Sequence, residues 1–210
     1  VKIEPLMEII DELFFEDKSR KVIIFTEFVA TQSYLSKLLR DRGYSNSLLN
    51  GSMNMDERNA VLAEFKSETD ILISTDAGGE GLNLQFSNCV INYDLPWNPM
   101  KIEQRIGRVD RIGQQRDVEV FNFVLADTVE NRVKDVLEEK LSIILKERGI
   151  DKYSDVLDSE LAGINFTDAY MNSIRNPKDI SYNVRPIEED LNKEVQNTVK
   201  LKELLKDDKN

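Results

Sequence analysis

"ILISTDAGGEGLNLQFSNCVINY", residues 71–93, opens and closes on short, strand-like apolar runs, ILIST and CVINY. Both are rich in β-branched residues, the composition of strands buried within a sheet. Between them DAGGEG places Gly78, Gly79 and Gly81 within four residues. Glycines at that density fit a loop whose backbone approaches a ligand closely, and equally an ordinary strand-to-helix turn. Two strands joined through such a loop describe the centre of an α/β domain.

The rest of the chain extends the alternation. KVIIF (21–25) is a further buried strand, and TQSYLSKLLRDRG (31–43) has helical spacing at Leu35, Leu38 and Leu39, with Gly43 as a C-terminal stop. SLLNG (47–51) reads as strand and turn. NMDERNAVLAEFK (54–66) offers Asn54 as N-cap, Glu57 three residues on, and an apolar face of Val61, Leu62 and Phe65. VEVFNFV (118–124) alternates as a last strand. Strands alternating with helices predict a parallel α/β sheet with ligand-binding loops at the strand C-terminal ends. From DTVENRV (127–133) onward the strands stop, and Val129, Val133, Val136, Leu137, Leu141, Ile144 and Leu145 make one helical stripe. A boundary near residue 126 therefore separates an α/β domain (1–126) from a mostly helical extension (127–210). Within the extension, RNPKDISYNVRP (175–186) reads as a loop and LNKEVQNTVKLKELLK (191–206) as a charged helix.

Composition narrows the function. The chain has 210 residues, 40% hydrophobic and 32% charged, as soluble globular proteins do. Its net charge of -11 and pI near 4.7 argue against a free-standing nucleic-acid-binding module, which is usually basic, but leave room for a local basic groove. Cys89 is the only cysteine, which excludes an internal disulfide and suits a reducing cytoplasm. With no histidine, His-based general base catalysis and the common zinc sites fall away. No apolar run approaches the roughly 20 residues needed to span a membrane, and VKIEPLMEII (1–10) is not signal-like.

Against that acidic background QRIGRVDRIGQ (104–114) concentrates positive charge. Arg105, Arg108 and Arg111, with Arg116 just beyond, make four arginines, and Lys101 is a fifth cation. If 101–111 is helical, Gln104, Arg108 and Arg111 fall within about 60° of one another around the axis. Ile102, Ile106 and Val109 fall on nearly the opposite side, so one face packs and the other presents two guanidiniums beside an amide. Gly107 removes a side chain next to Arg108. A solvated arginine face is the plain reading. Phosphate clamping is the sharper one, because a guanidinium is a rigid fork of donors matched to phosphate oxygens.

These stretches resemble a known family. QRIGRVDRIGQ is similar to motif VI of superfamily-two helicases, and its RIGQ ending to the SWI/SNF-type ATPases. STDAGGEGLNLQFSNCVINYDLPWNP (74–99) resembles motif V and its continuation, KVIIFTEF motif IV, and NGSMNMDERNAVLAEF the segment that follows it. The resemblance covers residues 1 to about 145, and VENRVKDVLEEKL (129–141) resembles the family's bracing helix. The extension looks most like the bacterial branch that includes the RNA-polymerase-associated ATPase.

The resemblance implies the second RecA-like lobe of a two-lobed motor: a three-layer, P-loop-NTPase-like parallel sheet flanked by helices. The chain has no G-x-x-x-x-G-K-[ST] phosphate loop and no DEAD- or DEAH-like acidic box, so tight binding of ATP and its Mg²⁺ is left to a first lobe. The family pattern makes Arg111 the arginine finger, places Arg108 beside it on the γ-phosphate, and gives Gln104 a supporting role. It assigns ribose and triphosphate contacts to Gly79, Glu80, Gly81 and Asn83. Thr26, Gly51 and Thr75 would hold nucleic-acid phosphates, contacts that position a strand without reading its sequence. Trp97 matches a tryptophan at the DNA groove. The family usually has a basic residue where this chain has Asp76, and an acid there would repel phosphate. The implied partners are double-stranded DNA, the N-terminal RecA-like lobe of the same full-length protein, and RNA polymerase or another nucleoprotein. The implied location is the bacterial cytoplasm, at the nucleoid. An RNA helicase lobe and a non-catalytic protein-interaction lobe remain as alternatives.

Overall fold

VIIFT (Val22–Thr26) forms β1, buried at every position, and β1 is the middle strand of a five-stranded sheet ordered β2-β3-β1-β4-β5. The partners are β2 (Asn46–Leu49), β3 (Ile71–Thr75), β4 (Cys89–Asn92) and β5 (Glu119–Asn122), and every pairing is parallel. The α/β parallel sheet expected from the alternation is therefore the one observed. The structure is a computed structural model. It describes residues 2–79, 82–96, 99–111 and 113–124, with residues 135, 139, 166–176, 180–183, 185–187, 189–190 and 192–193 of the C-terminal part. The chain divides into two compact units, Val1–Pro96 with Gln104–Phe123, and Trp97–Glu103 with Val124–Asn210.

The sheet is covered on both faces, which is why its strands are uniformly apolar. Alternate residues of β1 serve opposite layers. Val22 and Ile24 join a core with Leu6, Met7, Ile10, Leu13 and Phe14 of α1 (Ile3–Glu16) and with Leu35 and Leu39 of α2 (Val29–Asp41). Ile23 and Phe25 join the other core with Phe65 of α3 (Met55–Ser67), Leu82, Leu84 and Val109. These are three layers around two apolar seams, and each fully buried aliphatic or aromatic side chain contributes about 1.5–3 kcal/mol. Helix α1 was not among the expected elements, although its buried residues recur at helical spacing.

Local signals behave as their chemistry demands. Helix α2 ends in a Schellman turn: Gly43 N–H bonds the Arg40 carbonyl at 2.9 Å and Tyr44 N–H the Leu39 carbonyl at 2.9 Å, with Gly43 at φ +89°. Helix α3 begins with a capping box, in which Asn54 Oδ1 accepts from Glu57 N–H at 3.0 Å and Glu57 Oε2 from Asn54 N–H at 2.8 Å.

Two expectations are corrected. The arginine segment is not helical through 111. Helix α5 runs Pro99–Ile106 and gives way to a turn at 107–110, because Val109 is drawn wholly into the core and the Arg108 carbonyl is taken by Leu84 N–H at 3.1 Å. The segment 175–186 is not simply a loop. After α6 (Phe166–Arg175) comes a further helical turn, α7 (Ile180–Asn183), and 185–187 is helical as well. The boundary near 126 lies outside the described residues. So do the stripe from Val129 to Leu145, save Asp135 and Glu139, and the helix at 191–206, save Asn192 and Lys193.

Candidate functional site

Topology selects where a site can form. The connections leaving β1 and β4, which are neighbours, run to opposite edges of the sheet, and ligands of open α/β sheets bind outside the strand C-terminal ends at such a switch. Thr26 ends β1 and Thr75 ends β3, and the two are register partners. Both are buried. Thr26 donates its hydroxyl to Asp94 Oδ2 at 2.6 Å and accepts from Phe28 N–H at 3.3 Å, while Glu27 N–H donates to Asp94 Oδ1 at 2.7 Å. Asp94, to which the sequence reading gave no role, thus holds the donors at the end of β1. The Thr75 hydroxyl accepts from Gly78 N–H at 3.3 Å, which leaves its proton to donate. Gly51 is exposed in the turn after β2, a turn held by Asn50 Oδ1, which accepts from Ser52 N–H at 3.1 Å, and by Arg58 Nε, which donates to the Met53 carbonyl at 3.1 Å.

The largest fully buried side chain of the chain's described part is an arginine. Arg105, 1% exposed, donates from Nε to Asp76 Oδ1 at 2.7 Å and from Nη1 to Asn92 Oδ1 and the Asp94 carbonyl, both at 3.0 Å. Its guanidinium lies 5.3 Å from the Phe25 ring centroid, within cation–π range. Asp76 is therefore not an isolated negative charge facing a phosphate; a cation stands against it.

Beyond the end of α5, Gln104 and Arg111 are exposed and Arg108 is half-buried. Arg111 Nε donates to the Gly107 carbonyl at 2.9 Å, which uses one edge of the guanidinium and leaves its forked end toward solvent. The turn is pinned from behind by Gln114, whose Nε2 shares its protons among the carbonyls of Gln85 (3.0 Å), Ser87 (3.0 Å) and Val109 (3.1 Å). Its Oε1 accepts from Gln115 N–H at 2.9 Å and Arg116 N–H at 3.2 Å. Gln114 closes the RIGQ signature, yet its work became visible only in the fold. Beside this loop lies a cavity of about 380 Å³ lined by Ile106, Asp110, Arg111, Gln114 and Arg116 among others.

The glycine segment divides in two. Gly78 sits in α4 (Asp76–Gly79), where a Cβ would lie 2.6 Å from Asn50 Cα, Asn50 N and the Leu49 carbonyl oxygen. What approaches this glycine is the chain's own backbone. Gly79 closes α4. Asn83 is exposed and folds onto Gln85, its Oδ1 accepting from the Gln85 N–H at 3.1 Å. Glu80, Gly81 and Trp97 lie outside the described residues. The structure therefore gathers Thr26, Thr75, Asp76, Asp94 and Arg105 at the strand ends, and joins them through the α5 turn to Arg108.

The helicase conserved C-terminal domain family matches residues 2–113. Among known proteins, the chain is 45% identical over 137 residues to the uncharacterized ATP-dependent helicase YqhH of Bacillus subtilis, covering 65% of this chain and 24% of that protein. It is 36% identical over 156 residues to the RNA polymerase-associated protein RapA of Vibrio campbellii, covering 70% of this chain and 16% of that protein. The chain thus spans a quarter or less of the length of these relatives. Among solved structures it is similar to the SWI2/SNF2 ATPase core of Sulfolobus solfataricus in complex with dsDNA, with TM-score 0.56, 32% identity, and coverage of 68% of this chain and 30% of that one. It is also similar to the C-terminal part of the Fun30 ATPase domain, with TM-score 0.60, 29% identity, and coverage of 64% and 44%.

Proposed function

The chain belongs to the helicase conserved C-terminal domain family, as a C-terminal lobe of the SNF2-type ATP-dependent helicases, and from that premise we propose that it is the second motor lobe of an ATP-dependent double-stranded DNA translocase. The observation that supports this reading is the arginine turn. Arg108 and Arg111 stand on a short loop fixed through its backbone to the segment after the glycines, with Leu84 N–H on the Arg108 carbonyl at 3.1 Å. Such anchoring suits side chains that must act at a defined distance from a partner lobe.

Bound ATP supplies the phosphoryl group whose transfer drives the motor, with its Mg²⁺ on the first lobe. The residues here fit that division. Gln104, Arg108 and Arg111 offer donors suited to phosphate oxygens. In this proposal Arg111 reaches across the interlobe cleft to the charge developing in the transition state, Arg108 holds the γ-phosphate oxygens, and Gln104 supports both. Gly79, Glu80, Gly81 and Asn83 line the ribose and triphosphate. On the DNA side Gly51 and Thr75 contact backbone phosphates, Trp97 meets the groove, and Thr26 joins when a phosphate takes the place of Asp94 on its hydroxyl. Such contacts are indifferent to sequence. The RapA relatives are named for association with RNA polymerase, and a nucleoprotein partner of that kind is part of the proposal, as is a cytoplasmic, nucleoid-associated location. Among the described residues no helix is long and apolar enough to cross a membrane.

The test is Arg111→Ala in the two-lobed protein. DNA-stimulated hydrolysis should fall by about 10³–10⁵ while ATP affinity holds, because a finger acts mainly on the transition state. Collapse of nucleotide affinity with kcat preserved would refute the assignment.

A further inference from the structure

We infer that Arg105 is the positioning residue for Arg108 and Arg111, locking their turn to the glycine segment so that the two move as one body; the inference rests on the arginine roles proposed above. Two connections make the lock. At one end Arg105 Nε binds Asp76, the first residue of α4, at 2.7 Å. At the other end the Arg108 carbonyl accepts from Leu84 N–H at 3.1 Å. Residues 105–108 are thereby laced at both ends to residues 76–84. The Arg105 backbone also begins the turn, since its carbonyl accepts from Arg108 N–H at 3.3 Å. A rotation of the Arg105 side chain would shift the platform on which Arg108 stands.

Stability alone does not account for this residue. Buried ion pairs are commonly matched or exceeded in stability by apolar side chains of similar volume. Arg105 also leaves Nη2 buried with no hydrogen-bond partner among the described residues, a drawback that a nonpolar side chain would avoid. What a nonpolar residue lacks is direction. The planar fork reaches β3's continuation at Asp76, β4 at Asn92 and the Asp94 carbonyl simultaneously, and so sets the angle of α5's last turn against two strand ends. Asp94 in turn holds Thr26, so the same cluster touches a proposed DNA contact.

The experiment uses the two-lobed protein with saturating duplex DNA. The double variant Arg105→Met with Asp76→Leu removes both charges while keeping bulk. Its KM for ATP should stay at the wild-type value and kcat should fall by about 10²-fold, the scale of an ångström's misplacement of a reacting group, while Tm falls by only a few degrees as the Asn92 and Asp94 oxygens lose the Arg105 Nη1 donor. Arg105→Lys, which keeps the charge but loses the fork, should lower kcat in the same direction without moving KM. If the double variant keeps kcat, Arg105 is a packing residue and the inference is overturned. If the double variant unfolds, Arg105→Lys decides, and retained kcat in that protein overturns the inference. A rise in KM with kcat unchanged overturns it too, because that would place Arg105 in ground-state binding. Arg111→Ala, measured in parallel, separates the two claims: if it leaves hydrolysis intact, the proposed finger fails whatever Arg105 does.

Discussion

Replacing Gly78 with alanine adds one methyl group where the chain's own backbone already stands. Its Cβ would lie 2.6 Å from Asn50 Cα, Asn50 N and the Leu49 carbonyl oxygen. Nonbonded heavy atoms settle near 3.5–4.0 Å, so α4 and the end of β2 would have to part by about 1 Å. Neither side yields easily. The Leu49 carbonyl also accepts from Gln32 Nε2 at 2.9 Å, and that same amide donates to the Ile73 carbonyl at 2.7 Å, so a shift of β2 disturbs α2 and β3 together. Overpacking a core usually costs about 1–3 kcal/mol. With backbone at all three contacts the upper end applies, about 3 kcal/mol, which for a unit of this size lowers Tm by roughly 10 °C. Gly43→Ala is the control. Nothing lies within 4 Å of its Cβ, and only the φ of +89° opposes a side chain, a conformational cost of about 1–2 kcal/mol. Thermal unfolding followed by circular dichroism should rank wild type above Gly43→Ala, and Gly43→Ala above Gly78→Ala. If Gly78→Ala melted within about 2 °C of wild type while Gly43→Ala fell, the close approach of α4 to Asn50 would be wrong, and the segment would be free to open toward a ligand.

Other outcomes can be checked as directly. Asp76→Lys should lower the urea midpoint rather than strengthen DNA binding, because it sets a second cation against buried Arg105; the cost is about 3 kcal/mol, the low end for a broken buried pair since the Asp76 side chain is 23% exposed. An unchanged midpoint with a steeper salt dependence of DNA affinity would show that Asp76 faces the duplex instead. Cys89 should resist thiol reagents at neutral pH until the chain unfolds: it is fully buried, and burial above all pushes its thiol up to about 12, with Glu119 adding to the effect. Stoichiometric labelling in native buffer would contradict that packing. The isolated chain should release no phosphate from ATP above a buffer control, with or without duplex, because its sequence contains no phosphate loop. It should bind duplex weakly, without sequence preference and with a shallow salt slope, and a steep slope in a titration at several salt concentrations would point to more phosphate contacts than Gly51, Thr75 and Thr26 can make.

Much of the fold was legible because its signals are local. A capping box needs only Asn54 and Glu57, and a Schellman turn needs a glycine at Gly43. A strand buried on both faces needs only an unbroken β-branched run such as VIIF. Helix α1 is equally local, with Leu6, Met7, Ile10, Leu13 and Phe14 at helical spacing, but its N-cap is Lys2 and makes no side-chain cap hydrogen bond, so no capping signal marks its start. The arginines, too, stood out at once, since guanidiniums at helical spacing in an acidic chain need explanation.

What sequence could not contain was the choice among distant partners. Periodicity carries α5 on through Arg111, yet the helix stops at Ile106, because Val109 finds a place in the core and Leu84 N–H claims the Arg108 carbonyl. Of three arginines spaced alike, one is buried on Asp76, Asn92 and Asp94 while Arg111 faces solvent. Helical spacing sets Arg105 off the face shared by Gln104, Arg108 and Arg111, but nothing in QRIGRVDRIGQ tells that its guanidinium is buried on a carboxylate and an amide. Their fates depend on which strand ends lie beneath each, and that follows from the order β2-β3-β1-β4-β5. By itself the sequence determined the elements, their alternation and the family's motifs, all properties of neighbours along the chain. Only the tertiary structure decided which charge is neutralised, which glycine is pressed by backbone and which arginine is left to reach outward, because electrostatics and steric contact depend on distance in space.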